Sequence, residues 1–138
     1  TVGLGTDSAA SNNNLDLFEE IRLAALLHKG VTGDPTVVPA ADALRMGTVY
    51  GAKALGLEGV TGLLRPGLKA DIIAVSTDNT MFTPQTDYIS HLVYAASGAH
   101  VRHVWADGRQ LLRNGELLTL DEEKIMHEAQ ACFARLRG

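Results

Sequence analysis

Leu15, Phe18, Ile21, Leu23, Ala25, Leu26 and Leu27 recur about every 3.6 residues, which predicts a helix over residues 15–29. Glu19 and Glu20 stand early in that run, where the positive end of a helix dipole favours acidic side chains. The small polar stretch Asp7 to Asn14 precedes it and reads as a capping loop, and Gly30 as its stop. Before the loop, residues 2–6 have the character of the end of a short strand. A second helical pattern spans Pro39 to Lys53, with Ala40, Ala43, Leu44, Val49 and Ala52 on one side and small residues for close packing.

After Leu57 the period changes from helical to alternating. Thr61-Gly62-Leu63-Leu64 and Asp71-Ile72-Ile73-Ala74-Val75 read as strands separated by the turn Arg65-Pro66-Gly67. A polar, proline-containing stretch leads into a short helix within 85–94. Two strands, 100–106 and 110–113, then flank Asp107-Gly108, a favoured two-residue hairpin turn. Asn114-Gly115 turns the chain again, 117–120 are extended, and a terminal helix opens at Asp121 and runs to about Arg137.

Composition narrows the function classes. The chain has 138 residues, 46% of them hydrophobic, enough for one ordinary domain with a modest core. Its net charge is −4, and its 12 Lys and Arg are scattered rather than gathered into a stripe, which disfavours nucleic-acid binding. Its apolar runs fall short of the roughly 20 residues needed to span a bilayer, so no membrane partner is expected. The single cysteine, Cys132, excludes an internal disulfide; it is expected to be a half-buried helical thiol in a reducing, cytoplasmic setting. Without an initiator Met, the start on Thr1-Val2-Gly3-Leu4 reads as that of a fragment.

Gly5-Thr6-Asp7-Ser8-Ala9-Ala10-Ser11-Asn12, followed by Leu17-Phe18-Glu19-Glu20, resembles the segment after the last barrel strand of metal-dependent amidohydrolases. The likeness is to the 5-methylthioadenosine/S-adenosylhomocysteine deaminases and their chlorohydrolase relatives. It continues through Ala43 to Thr48, Gly51 to Gly56, Gly62 to Asp71 and Val101 to Gly108. The resemblance implies a fragment of an α/β enzyme. Residues 1–56 would supply the last strand and helices of a (β/α)8 barrel, 57–120 the C-terminal part of a small β-sandwich, and 121–138 a terminal helix. Also implied are one divalent metal, zinc by preference, an aminopurine substrate, and association with the missing N-terminal part or with further copies of the chain.

Asp7 is the candidate for chemistry. Barrel enzymes carry catalytic groups where strands end, and Asp7 stands at such an end before a small-residue loop. The resemblance makes Asp7 a metal ligand, the acceptor of the attacking water's proton and a substrate-contacting residue; the bland alternative is a cap for the next helix. The five histidines show no His-x-His pair, and His100 and His103 are expected on opposite faces of one strand. His28 and His127 read as helix-surface residues. The family's histidine ligands and its glutamate would lie upstream, so the chain alone is expected to be inactive. Gly59 to Gly67 lacks the Gly-Lys-Ser/Thr ending of a phosphate loop, and Ser8 and Ser11 stand outside any nucleophile elbow. Two classes follow: part of a hydrolytic deaminase or a related hydrolase, such as a triazine chlorohydrolase or guanine deaminase, against a non-catalytic binding or scaffold module.

Overall fold

The computed structural model describes residues 1–137. Helix α1 (Leu17–Thr32) places Phe18, Ile21 and Ala25 on one buried side. Asp16 caps it by accepting the Phe18 N–H, Glu19 and Glu20 occupy the first turn, and Lys29 the last. The expected stop at Gly30 is early. Gly33 ends the helix instead, because it takes the left-handed conformation (φ 68°) and returns its N–H to the Lys29 carbonyl. The Lys29 ammonium then bonds the carbonyls of Ala25, Val37 and Val38 at 2.9, 2.8 and 2.7 Å, which ties the following loop back to α1.

The expected single helix over 39–53 is two, α2 (Ala40–Met46) and α3 (Val49–Ala54). Thr48 leaves helical space (φ −130°, ψ −99°) after Gly47, and Gly47 lies directly on α1. A Cβ there would come within 2.5 Å of Ile21 Cδ1. Residues 2–6 form no strand: Leu4 donates to the Met46 carbonyl at 3.3 Å, and no described strand runs beside them. An extended segment becomes a strand only when a neighbour supplies the ladder.

The sheet is β1 (Ile72–Val75), β2 (Val101–Ala106), β3 (Arg109–Arg113) and β4 (Glu116–Leu117), antiparallel and in chain order. The β2–β3 turn has both central residues at positive φ, Asp107 at 49° and Gly108 at 79°, which matches the twist of the flanking strands. Asn114 and Gly115 repeat the device before β4. The strand expected at 61–64 is absent. Gly62 (φ 93°) lies so close to Val49 Cα and Ala52 that this stretch folds onto α3 rather than into the sheet.

Between β1 and β2 the chain makes a 3-10 turn (Thr80–Phe82) and helix α4 (Tyr88–Tyr94), capped by Asp87. Helix α4 packs on α1 and α2, and Ile21, Ala25, Ala43 and Val93 form one core. Phe18, Phe82 and Ala96 form a second against Val75 and Val101 of the sheet. Complete burial of a side chain such as Phe82 contributes about 1.5–3 kcal/mol. Helix α5 (Glu122–Arg137) buries none of its residues, so Cys132 is exposed rather than half-buried.

Candidate active site

Asp7 takes the left-handed conformation, φ 61°. For a side chain other than glycine this costs roughly 1–2 kcal/mol, and Asp and Asn tolerate it through local hydrogen bonds. Such a bond is present: Asp7 Oδ1 accepts the Ser8 N–H at 2.6 Å. Among the described residues nothing donates to Oδ2, and the side chain is exposed. Thr6 Oγ1 donates to the Asp7 carbonyl at 3.0 Å.

The loop after Asp7 closes on Ser8, whose carbonyl accepts the N–H of Ser11 at 3.0 Å and of Asn12 at 2.9 Å. Asn12 Nδ2 donates to the Thr6 carbonyl at 3.0 Å and to Glu20 Oε1 of α1 at 3.2 Å. Asn14 Oδ1 accepts the Asp16 N–H at 3.1 Å, and the Asn14 amide reaches Glu19. The helix cap is therefore Asp16, and Asp7 makes no bond to α1, which removes the capping explanation for it. The asparagine run, expected to cap the helix, instead builds the loop that leads from Asp7 to the cap. Nothing in its composition could have singled out Asn12.

The histidines stay apart. His100 belongs to a 3-10 turn (Gly98–His100), not to the expected strand, because its Nδ1 is held by the Ser97 N–H at 3.0 Å. His103, in β2, stacks on Trp105 at 5.6 Å. His28 and His127 are exposed. Among the described residues no three His, Cys, Asp or Glu side chains gather where a metal could be held.

Several carboxyls in turns and caps are displaced below their ordinary range. Asp71 is lowered mainly by the Asp107 N–H and then by the Thr61 side chain; Asp87 is lowered mainly by Ser90. A groove of about 690 Å³ separates the helices from the sheet, lined by Phe18, Ala52, Leu57, Leu63, Ile73 and Trp105 among others. Asp7 does not line it, and its walls carry little that could do chemistry.

The model of the Amidohydrolase family matches residues 1–111, and the chain belongs to that family. It is 56% identical over 135 residues to a 5-methylthioadenosine/S-adenosylhomocysteine deaminase of Pelotomaculum thermopropionicum, a match covering 98% of this chain and 31% of that protein. It is 54% identical to a 5′-deoxyadenosine deaminase of Methanosarcina acetivorans, with the same coverage. The fold superposes with a TM-score of 0.93, at 38% identity, on a crystal structure of an adenosine deaminase from Xanthomonas campestris with bound zinc. That match covers 98% of this chain and 31% of the other. The chain thus spans about a third of the length of these relatives.

Proposed function

We propose that this chain is the C-terminal part of a metal-dependent hydrolytic deaminase of adenine nucleosides, and that Asp7 is its contribution to the active site. The observation that carries the reading is Asp7 itself: an exposed carboxylate in a left-handed conformation, and not the cap of the helix that follows. Outliers of this kind cluster at functional sites. The 5-methylthioadenosine, S-adenosylhomocysteine and 5′-deoxyadenosine named for the relatives share an adenine ring and differ at the 5′ position. The substrate class is accordingly an adenine nucleoside with a modified 5′ end.

Residues 1–56 then complete a (β/α)8 barrel, with 2–6 as its last strand and Asp7 at the C-terminal face. Helix α1 supports this reading, since Leu23, Leu26, Leu27 and Val31 lie exposed on the side away from its core. A helix apolar on more than one side is built to be covered more completely than this chain covers it. Residues 57–120 form the C-terminal share of a β-sandwich, and 121–138 a terminal helix. β1 pairs only with β2 among the described strands, which leaves its outer edge open to a strand from the remainder of the protein.

A carboxylate with one unengaged oxygen fits as one ligand of a divalent ion, and zinc is the candidate by the company of the zinc-bound relative. About three protein ligands are needed, so the others come from outside the described residues. The ion, when bound, supplies the charge that acidifies the attacking water. The Asp7 carboxylate would take that water's proton as the new C–O bond forms at the ring carbon and return it to the departing amine. Water and the nucleoside amine thereby give the oxo product and ammonia. The Ser8 N–H holds Oδ1, so that Oδ2 is the oxygen presented.

The test is Asp7→Ala in the full-length enzyme, with turnover of 5′-deoxyadenosine and the melting temperature measured together. Loss of turnover by at least about a thousandfold with melting unchanged is expected. Near-parental turnover would falsify the assignment.

A further inference from the structure

Asp7 is held in an unfavourable backbone conformation by its own bond to the Ser8 N–H and by groups further along the chain. Resting on the reading of Asp7 as the site carboxylate, we propose that Asn12 and Glu20 are positioning residues that fix its orientation.

The Thr6 carbonyl and the Asp7 N–H belong to one peptide plane. The bond from Asn12 Nδ2 to the Thr6 carbonyl, 3.0 Å, therefore fixes the plane from which the Asp7 φ of 61° is measured. On the far side, the Ser8 carbonyl is held by the Ser11 and Asn12 N–H groups. Asp7 is gripped before and after, and Asn12 takes part in both grips.

Every polar group of the Asn12 side chain is engaged. Its two amide hydrogens go to the Thr6 carbonyl and to Glu20 Oε1, and its oxygen accepts the Asn14 N–H at 3.2 Å. It is half-buried while Ser11 and Asn13 on either side are exposed. An amide is needed here, because two donors on one nitrogen and an acceptor on the same planar group must be satisfied together. Aspartate would lose both donors and face the Glu20 carboxylate.

Glu20 links the loop to the core. It belongs to α1, whose backbone is held by the buried Phe18 and Ile21 that flank it in sequence. A carboxylate accepting from the Asn12 amide forms a charge-assisted bond, roughly twice as strong as a neutral one. The chain of contact runs from α1 through Glu20 and Asn12 to the peptide plane of Asp7. With that chain cut, the backbone of residue 7 relaxes toward ordinary φ and its carboxylate swings away from the reacting atoms.

The experiment uses the full-length enzyme with five variants, Asp7→Ala, Asn12→Ala, Asn12→Asp, Glu20→Ala and Glu20→Gln. Each is assayed for kcat and KM on 5′-deoxyadenosine, zinc retained per chain after dialysis against a chelator, and melting temperature. Groups that orient a metal ligand typically change activity or metal affinity by about 10- to 100-fold. Asn12→Ala and Asn12→Asp should lower kcat by about that factor, with KM within about threefold of the parent and less zinc retained. Glu20→Ala should move the same readouts in the same direction, and Glu20→Gln, which keeps an oxygen facing Asn12, should recover most of the loss. If Asn12→Ala does not fold, the Glu20→Ala and Glu20→Gln pair decides by the same criteria. The proposal fails if the folded Asn12 and Glu20 variants keep parental kcat and zinc while Asp7→Ala is dead. It also fails if Asp7→Ala is active, and in that case the reading of Asp7 fails with it.

Discussion

Asp16 Oδ2 accepts the backbone N–H of Gly98 at 2.7 Å, while Oδ1 of the same carboxylate accepts the Phe18 N–H at 3.0 Å. The cap of α1 is thus also the bond that fastens the approach to β2 onto that helix. Arg22, nearly two turns along, reinforces the tie by donating to the Ala96 carbonyl. Replacing Asp16 by Ala removes a cap and leaves two N–H groups without partners. The expected loss is about 1–2 kcal/mol in urea unfolding of the full-length protein. Asp16→Asn should fall between the two, since its amide keeps one acceptor; equal stability of all three would remove the staple from the account.

Two glycines of similar appearance should respond oppositely to alanine. A Cβ on Gly47 meets Ile21 Cδ1 at 2.5 Å and Cγ1 at 2.7 Å, and Ile21 is only 4% exposed, so α1 and α2 must separate to admit it. Gly47→Ala should cost about 1–3 kcal/mol by overpacking. A Cβ on Gly30, inside α1, meets nothing within 4 Å. Gly30→Ala should therefore stabilise by about 0.5–1 kcal/mol, through a lower entropy of the unfolded chain. Thermal melting of the two variants beside the parent checks both signs.

The fold contributes a definite pH dependence at the start of β1. Asp71 Oδ1 accepts the Asp107 N–H at 2.7 Å, and this bond first, then the Thr61 side chain, lowers the Asp71 carboxyl below its ordinary value of 3.8. A group depressed in the folded state contributes stability above its unfolded pKa, and that contribution is lost as pH falls through the folded value. Parent and Asp71→Asn should therefore differ in melting temperature at neutral pH and converge below pH 3.8. Lys69, raised above 10.5 chiefly by the Asp107 carboxylate, has the opposite sign: its contribution is present below 10.5 and fades as pH climbs beyond it. A gap between Asp71→Asn and parent that widens in acid would contradict the role of this bond.

What could be read from sequence was local. The 3.6-residue period found α1, and Asp107-Gly108 found the hairpin, because each is specified by residues next to one another. Several of the failures involve long-range neighbours. Gly47 breaks a continuous helical pattern because Ile21, far away in sequence, needs the space. Thr61 to Leu64 have strand composition but lie on α3, and residues 2–6 lack a strand beside them. The role proposed for Asp7 rests on its place before a small-residue loop and on likeness to a family. Asn12 was lost among three asparagines, since only the folded loop distinguishes the one that reaches the Thr6 carbonyl.

The last expectation concerns the isolated 138-residue chain. Its helix α1 leaves Leu27 at 61% and Val31 at 78% exposure on the side opposite its core, and Leu64, beside the groove, is 80% exposed. Among the described residues, β1 offers a row of backbone groups with no partner strand outside β2. Apolar patches and open strand edges are both relieved by contact with another chain. In a full-length enzyme the remaining two-thirds would cover them; in the isolated chain only another copy can. Light scattering on the purified chain should give a mass above that of one chain, growing with concentration, and 5′-deoxyadenosine should not turn over at any added zinc. A monomer that stays monomeric at high concentration and unfolds in one cooperative step would show instead that α1 to α4 and the sheet close a sufficient core by themselves. Co-expression with the remainder of the enzyme separates the cases further, because a surface meant for that remainder should give up self-association when the cognate part is supplied.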